Sequence, residues 1–291
     1  MNIRDLHYII LIDKYKHFAK AAEVANVSQP ALSMQVNKLE AELNIKIFER
    51  NNKKVITTDI GYKIIEQAKS ILHKVDNIKE IAKYSANHLS GEIKLGAFPT
   101  LAPYLFPIIL PELALQFPKL QFFLKEEKTE NLINHLVEGK LDIAFLALPV
   151  IADIFFTEKL FRDRFYLAVA KTNKLAMRKT VQKTDLDLTK ILLLEEGHCL
   201  RDQALEFCPF VNNTKHDFSG SSLETLRQMV AVDAGVTFIP EIALDKNAKL
   251  KYLSFTDINP YRDIAICYRK GSAKLALLEE INKIIKELTK F

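Results

Sequence analysis

The chain has little cysteine and no long hydrophobic run. It carries three cysteines in 291 residues, and none forms a Cys-x-x-Cys pair, which argues against a structural zinc site. No stretch approaches the ~18–20 apolar residues of a membrane span. The first apolar stretch is broken by Asp13, Lys14 and Lys16, unlike a secretory signal. We therefore expect a cytoplasmic protein without membrane contact, in which a disulfide would be transient, catalytic or sensory.

The length and the charge distribution suggest two unlike parts. At ~100–200 residues per domain, the chain is long enough for about two domains. Residues 1–90 contain 14 Lys/Arg and 10 Asp/Glu, whereas residues 91–291 contain 27 and 26. An excess of positive charge at the N-terminal end suits a nucleic-acid-binding head on a nearly neutral body. The histidines other than His198 show no metal-like spacing, so we expect neither a metal site nor a cofactor.

The first ~60 residues have the pattern of a helix-turn-helix. A small-residue helix at Phe18–Ala25 is followed by a turn, and Ser28 is a natural N-cap for the next helix. Pro30 falls at the second position of that helix, where its missing N–H has no cost. The small Ala22 stands where two such helices would touch. The polar and then β-branched stretch 50–58 predicts a small hairpin, or wing.

In a helix-turn-helix, polar side chains near the start of the second helix contact the DNA bases, and nearby cationic side chains contact the phosphate backbone. The alternative is an ordinary helical subdomain with a solvated polar face. The residues predicted to contact DNA are Ser28, Gln29, Pro30, Ser33, Gln35 and Lys38 on the helix and Arg50, Lys53 and Lys54 in the wing.

A long helix is predicted from Thr58 to about Ala86, ahead of a break at Ser90–Gly91. Its apolar stripe has no obvious local core, so pairing with a second copy of the chain is the simplest way to bury it. The stripe consists of Ile60, Ile64, Ala68, Ile71, Val75, Ile78 and Ala82.

From Glu92 onward, strand and helix patterns alternate, which predicts an α/β fold with parallel sheets covered by helices on both faces. The predicted strands are 92–97, 120–126, 142–148, 165–169, 191–194, 236–239 and 264–268. The predicted helices are 103–116, broken or bounded by Pro107 and Pro111, then 130–138, 221–234 and 273–289.

Cys199 and Cys208 are the candidates for redox chemistry. Cationic neighbours such as His198 and Arg201 would lower the pKa of the Cys199 thiol, and a second cysteine can capture an oxidised first one. The stretch 201–206 favours a helix. If residues 199–208 formed one helix, the two Cα atoms would be ~13–14 Å apart, whereas a disulfide needs roughly 7 Å or less. Disulfide formation should therefore require local refolding. The alternative is that these cysteines are small buried hydrophobic residues, as free cysteines often are. For Cys267 this is our expectation.

The N-terminal segments resemble the winged helix-turn-helix of LysR-type transcriptional regulators. Two departures are Asn44, where the family usually has glycine, and Met34, where many members have a polar residue. The residues that carry the resemblance are Phe18-Ala19-Lys20-Ala21-Ala22, Ser28-Gln29-Pro30-Ala31-Leu32-Ser33, Leu39-Glu40, Leu43, Phe48, Arg50 and Thr57-Thr58-Asp59-Ile60-Gly61.

This resemblance implies a DNA-binding domain (1–58), a dimerising linker helix and hinge (59–90) and a regulatory domain (91–291) of two Rossmann-like lobes similar to periplasmic binding proteins. Lobe I would comprise 91–161 and 268–291, and lobe II 162–267. It also implies a homodimer or a homotetramer on two half-sites of double-stranded DNA, with RNA polymerase as a further partner.

Within that family, Gly197-His198-Cys199-Leu200-Arg201-Asp202-Gln203-Ala204 with Cys208 resembles the peroxide-sensing members. The resemblance implies an activator of oxidative-stress defence genes that responds to hydrogen peroxide, with Cys199 as the peroxidatic and Cys208 as the resolving cysteine. It points to Thr100, Thr129 and Arg269 as pocket residues. On chemical grounds His198 or Arg269 would assist the departing hydroxide, and Asp202 would orient a cation.

Two other functions compete with peroxide sensing. A LysR-type regulator could bind a small metabolite in the cleft between its lobes, with incidental cysteines. A thiol peroxidase could use the same cysteine pair, although an enzyme has no use for a helix-turn-helix.

Overall fold

The computed structural model describes residues 1–51, 54–84, 90–150, 152–186, 191–207, 219–245 and 249–290. The chain divides into two units, Met1–Ala86 and Asn87–Phe291. The first unit contains helices α1 (Ile3–Tyr15), α2 (Phe18–Val24), α3 (Gln29–Leu43) and α4 (Asp59–Tyr84) and strands β1 (Phe48–Asn51) and β2 (Lys54–Thr57).

Local signals set the ends of α3. The Ser28 side chain accepts a 3.3 Å hydrogen bond from the Ala31 backbone N–H, and Asn44 ends the helix in the left-handed region, at φ 53°. Asparagine tolerates this conformation better than most residues. The strands β1 and β2 pair antiparallel. The predicted winged helix-turn-helix is therefore confirmed.

The apolar stripe of α4 is partly buried within its own unit, contrary to expectation. Ile65 and Ala68 belong to the core that α1, α2 and α3 form, and Ile64 packs against it. Farther along the helix, Ile71 is 40% exposed and Ile78 is 67% exposed. Ile60, at the start of the stripe, is also exposed, at 45%, so it is the middle of the stripe, Ile64 and Ala68, that packs within the unit.

The second unit contains the remaining elements. Its helices are α5 (Ala102–Gln116), α6 (Thr129–Val137), α7 (Cys199–Phe207), α8 (Leu223–Ala231) and α9 (Leu275–Leu288). Its strands are β3 (Gly91–Ala97), β4 (Leu120–Glu126), β5 (Ile143–Ala147), β6 (Phe155–Ala170), β7 (Thr180–Val181), β8 (Leu193–Leu194), β9 (Ser219–Gly220), β10 (Thr237–Pro240), β11 (Leu250–Phe255) and β12 (Tyr261–Arg269).

The main sheet is mixed, not parallel. Its strand order is β4-β3-β5-β12-β6-β11-β7, with β10 also paired to β6. The strands β4, β3 and β5 run parallel, but β12 is antiparallel to both of its neighbours. The long β6 pairs with β12 through its first part and with β10 and β11 through residues 165–170, so it joins the two lobes.

Residues 264–267 of β12 pair with β5, and the lobe boundaries given above stay a prediction. Two further details differ from the predictions. Helix α5 continues through Pro107 and Pro111 without a break. Strand β6 is longer than predicted, and strand β11 was not predicted. The predicted helix after Cys199 is present as α7.

Within the described ranges, none of the helices combines the length and the apolar composition that crossing a lipid bilayer requires.

Candidate functional site: a half-buried cysteine with an arginine and two threonines

Cys199 is the first residue of α7, immediately after the turn that leaves β8. Gly197 in this turn has φ +87°, a conformation that glycine adopts without steric cost. The N-terminal end of a helix carries partial positive charge, which favours an anion such as a thiolate. The local chain therefore presents the Cys199 sulfur at the carboxyl end of a strand, where α/β folds place ligands.

Arg262, near the start of β12, lies close enough to the Cys199 sulfur for its positive charge to lower the pKa of the thiol. The guanidinium is fully buried and lies 2.8 Å from Asp163 Oδ2. It also donates to the Thr100 hydroxyl at 2.7 Å and to the Thr100 backbone carbonyl at 3.1 Å. These bonds hold the cation in one orientation beside the sulfur.

Two threonines complete the group. Thr100, after β3, is buried and accepts from Arg262, so its own proton can still be donated. The Thr129 hydroxyl at the start of α6 is close enough to the Cys199 sulfur to lower the pKa of the thiol, yet it has no hydrogen bond of good geometry with any described residue. Neither threonine is an N-cap, because Leu101 and Lys128 occupy those positions.

Burial dominates the ionisation of Cys199. It raises the pKa of the thiol above the ordinary value of 9.0, whereas the charge of Arg262, the Thr129 hydroxyl and the Leu200 N–H pull the pKa down. The thiol is therefore protonated at neutral pH, and its reactive form depends on polar groups contributed by distant parts of the chain.

The cations expected from the local sequence do not supply this effect. His198 is buried, and burial together with the charge of Lys128 keeps its pKa below the ordinary value, with Glu195 opposing. His198 is accordingly neutral at pH 7. Arg201 Nη1 turns away to donate to the Leu194 carbonyl at 2.9 Å.

The assignment of Arg269 to the pocket is corrected by the strand direction. Arg269 ends β12 and donates hydrogen bonds to the carbonyls of Leu136 and Leu141. Because β12 is antiparallel to β5, the start of β12 lies at the carboxyl edge of the parallel strands and its end at the opposite edge. Seven residues of strand separate the two arginines by about 23 Å. Arg269 instead stabilises the far end of α6.

The remaining predicted redox residues have simple settings. Asp202 is exposed in the first turn of α7, where an acidic side chain suits the helix dipole; its role in the pocket stays a prediction. Cys208 lies outside the described residues. Cys267 is fully buried in β12, 3.7 Å from the Thr157 hydroxyl, and burial raises the pKa of its thiol to about 11. The expectation of a buried strand cysteine is confirmed.

The predicted DNA-contacting residues of α3 occupy its start and outer face. Gln29 and Pro30 are exposed in the first turn, as is Lys38 farther on, whereas Ser33 and Gln35 are half-buried. Arg50 and Lys54 lie in the two strands of the wing, and Lys53 lies outside the described residues. Among the described residues, no cluster of three or more histidine, cysteine or acidic side chains could hold a metal ion.

Comparison with known families covers almost the whole chain. Residues 3–62 match the family of bacterial regulatory helix-turn-helix proteins of the lysR type. Residues 86–289 match the LysR substrate binding domain.

Individual relatives match over nearly their full lengths. The hydrogen peroxide-inducible genes activator of Haemophilus influenzae is 39% identical over 295 residues, which cover 100% of this chain and 98% of that protein. A full-length OxyR variant from Pseudomonas aeruginosa has a similar structure, with a TM-score of 0.75 and 35% identity over 98% of this chain and 95% of its own. A hydrogen-peroxide-bound OxyR variant from Corynebacterium glutamicum has a TM-score of 0.63 and 29% identity, covering 99% and 92%.

Proposed function

The chain belongs to the LysR family of bacterial transcription regulators, and we propose that within this family it senses hydrogen peroxide and controls genes of oxidative-stress defence. The protein binds DNA through α3 and the wing and responds to peroxide through Cys199. The observation that carries this proposal is the half-buried Cys199 thiol, with the Arg262 guanidinium and the Thr129 hydroxyl close enough to lower its pKa. The peroxide-related names and bound peroxide of the similar proteins support it.

The chemistry begins with the Cys199 thiolate. It attacks one oxygen of hydrogen peroxide, an S–O bond forms and the O–O bond breaks, and the departing hydroxide takes up the proton lost by the thiol to leave as water. The sulfur is oxidised to a sulfenic acid and the peroxide is reduced. Arg262 stabilises the developing negative charge, and the Thr100 and Thr129 hydroxyls orient the two oxygens.

The second step converts the oxidation into a change of shape. The Cys208 thiol attacks the sulfenic sulfur, a disulfide forms and a second water leaves. Eight helical steps separate Cys199 from Phe207 by ~12 Å. One further residue extends the chain by ~3.8 Å at most, too little to bring a following cysteine within bonding distance of Cys199 while α7 is intact. A disulfide requires the two Cα atoms to lie roughly 4.4–6.8 Å apart, so α7 has to unwind.

Disulfide mapping tests the proposal directly. The reduced protein is treated with a slight excess of hydrogen peroxide and its peptides are analysed by mass spectrometry. We expect a Cys199–Cys208 link, its loss in Cys199→Ser, and an over-oxidised Cys199 in Cys208→Ser. Absence of the link in the wild-type protein would refute the peroxide-switch mechanism.

The competing functions have weaker support. The guanidinium at the start of β12 is already bonded to Thr100 and Asp163, so no free cation of this group awaits an anionic metabolite. We propose no catalytic turnover, because the DNA-binding unit assigns the cysteine chemistry to signalling. A single stoichiometric reduction of peroxide, without turnover in the presence of thioredoxin and its reductase, would agree with this role; sustained turnover would favour a peroxidase.

We further propose a homodimer formed through α4, assembled into a homotetramer on two DNA half-sites, which acts with RNA polymerase in the cytoplasm. The exposed Ile71 and Ile78 are one heptad apart on α4, as coiled-coil contacts are. The outer surface of the same unit also holds a groove of about 770 Å³, lined by Ile3, Val24 and Val75 among others.

A further inference from the structure

Lys128 connects the first lobe to the turn that precedes Cys199. Its Nζ donates a 2.9 Å hydrogen bond to the backbone carbonyl of Glu196 and lies 3.7 Å from the Glu195 carboxylate. Lys128 is the N-cap residue of α6, so it comes directly before Thr129, whose hydroxyl faces the Cys199 sulfur. Two consecutive residues of the first lobe thus contact the turn and the sulfur.

The fit between Lys128 and Gly197 is close. A Cβ atom at Gly197 would lie 3.1 Å from Cδ and 3.2 Å from Nζ of Lys128, so the lysine side chain lies directly against the glycine backbone. The φ of +87° at Gly197 is itself a glycine conformation. The glycine therefore provides both the turn and the surface on which the lysine rests.

We propose that Lys128 is a positioning residue that fastens the turn Glu195–His198 to the N-terminal end of α6 and thereby stabilises the reduced form. This inference rests on the proposed function, since it concerns the disulfide switch. The turn is continuous with α7, and α7 has to unwind for Cys199 to approach Cys208. Lys128 holds the turn through a hydrogen bond to the main chain, so the bond stabilises the position of the turn whatever side chains it carries.

The size of the effect follows from the exposure of the contact. The Lys128 side chain is 42% exposed and that of Glu195 is 46% exposed, so the ion pair contributes little. The hydrogen bond to the carbonyl is the main contribution, and a bond of this kind changes an equilibrium by about threefold to tenfold. We expect the equilibrium constant for the disulfide over the dithiol to be about threefold larger in Lys128→Met than in the wild-type protein.

The test is the thiol–disulfide equilibrium of the full-length protein in dithiothreitol buffers of defined ratio, followed by alkylation and mass spectrometry. Lys128→Met keeps the aliphatic stem but loses the donor. Lys128→Arg, which retains N–H donors, should return the equilibrium towards the wild-type value. Lys125→Met is the matched control, because Lys125 is 44% exposed on β4 and pairs with Glu127 at 3.8 Å.

The outcomes separate this proposal from the underlying function. A wild-type equilibrium constant in Lys128→Met, or the same shift in Lys125→Met, would overturn the role of Lys128 while leaving the peroxide switch intact. If the wild-type protein forms no Cys199–Cys208 disulfide, the proposed function fails first. A shift in Lys128→Met that Lys128→Arg does not reverse would likewise contradict the hydrogen-bond mechanism.

Discussion

The guanidinium of Arg262 donates a 2.7 Å hydrogen bond to the hydroxyl of Thr100, a residue 162 positions earlier in the chain. Both side chains are buried, and the bond joins the start of β12 to the loop after β3. With Asp163 on its other side, Arg262 is held beside the Cys199 sulfur. The electrostatic environment of the cysteine is therefore built by three chain segments that are far apart in sequence.

The first prediction concerns the pH dependence of oxidation. Because burial raises the pKa of Cys199 above 9.0, the thiolate fraction at neutral pH is small, and the rate of reaction with peroxide should rise about tenfold per pH unit up to that pKa. In Arg262→Gln the pKa rises further, so the rate at pH 7 falls, roughly tenfold or more. Rates are measured by stopped-flow mixing between pH 6 and pH 10.

The control is Arg164→Gln, which removes an exposed arginine near this site. Loss of one partner of a buried ion pair can cost about 3–5 kcal/mol, so Arg262→Lys is measured beside Arg262→Gln, with circular dichroism as a check on folding. Equal rates for a folded Arg262→Gln and the wild-type protein would contradict the role of Arg262.

Thr129 should contribute through its hydroxyl alone. Thr129→Val keeps the shape of the side chain but removes the donor beside the sulfur, and we expect the second-order rate with peroxide to fall about tenfold or more. Thr129→Ser retains the hydroxyl and should stay within a few-fold of the wild-type rate. If valine and serine slow the reaction equally, packing rather than hydrogen bonding explains the residue.

Cys267 should make the protein less stable at high pH. Its thiol has a pKa of about 11 in the folded chain against 9.0 when exposed. The contribution of the buried, protonated thiol to the free energy of unfolding is complete below pH 9. It is lost as the pH rises towards 11, which lowers the free energy of unfolding by about 2–3 kcal/mol. Urea unfolding at pH 8 and pH 10.5 should show a smaller loss of stability in Cys267→Ala than in the wild-type protein. The same loss in both would exclude this thiol as the cause.

Two substitutions should separate base recognition from backbone binding. Gln29→Ala, at the exposed start of α3, should change the sequence preference found by selection from random duplexes. Lys54→Ala, in strand β2 of the wing, should weaken binding to all selected duplexes and reduce the salt slope by about one. Identical effects on sequence preference would show that Gln29 does not read bases.

The exposed apolar residues of α4 predict a dimer. Ile78 is 67% exposed, and burial against a second copy stabilises an isoleucine by about 1.5–3 kcal/mol. Ile78→Gln should raise the dimer dissociation constant at least tenfold in analytical ultracentrifugation. Lys74→Gln, an exposed position on the same helix, should leave the constant within twofold. A monomeric wild-type protein would contradict pairing through this helix.

Features that depend on neighbouring residues were predictable from the sequence. The cap of α3 at Ser28 and its left-handed end at Asn44 follow from side chains that act within a few residues. Helix α7 follows from its own composition. Features that depend on contacts between distant segments were not predictable. Helix α4 packs partly against α1 within its own unit. The arginine of the site was predicted at the wrong end of β12, because the direction of that strand was not known.

By itself, the sequence determined the winged helix-turn-helix, the helix that follows Cys199, and the incompatibility of a helix over 199–208 with a disulfide. These depend on short-range sterics and hydrogen bonds. Only the tertiary structure decided that Arg262 rather than Arg201 or Arg269 meets the sulfur, and that burial raises the pKa of Cys199. Solvent exclusion and charge proximity depend on distances between segments that a linear pattern does not contain.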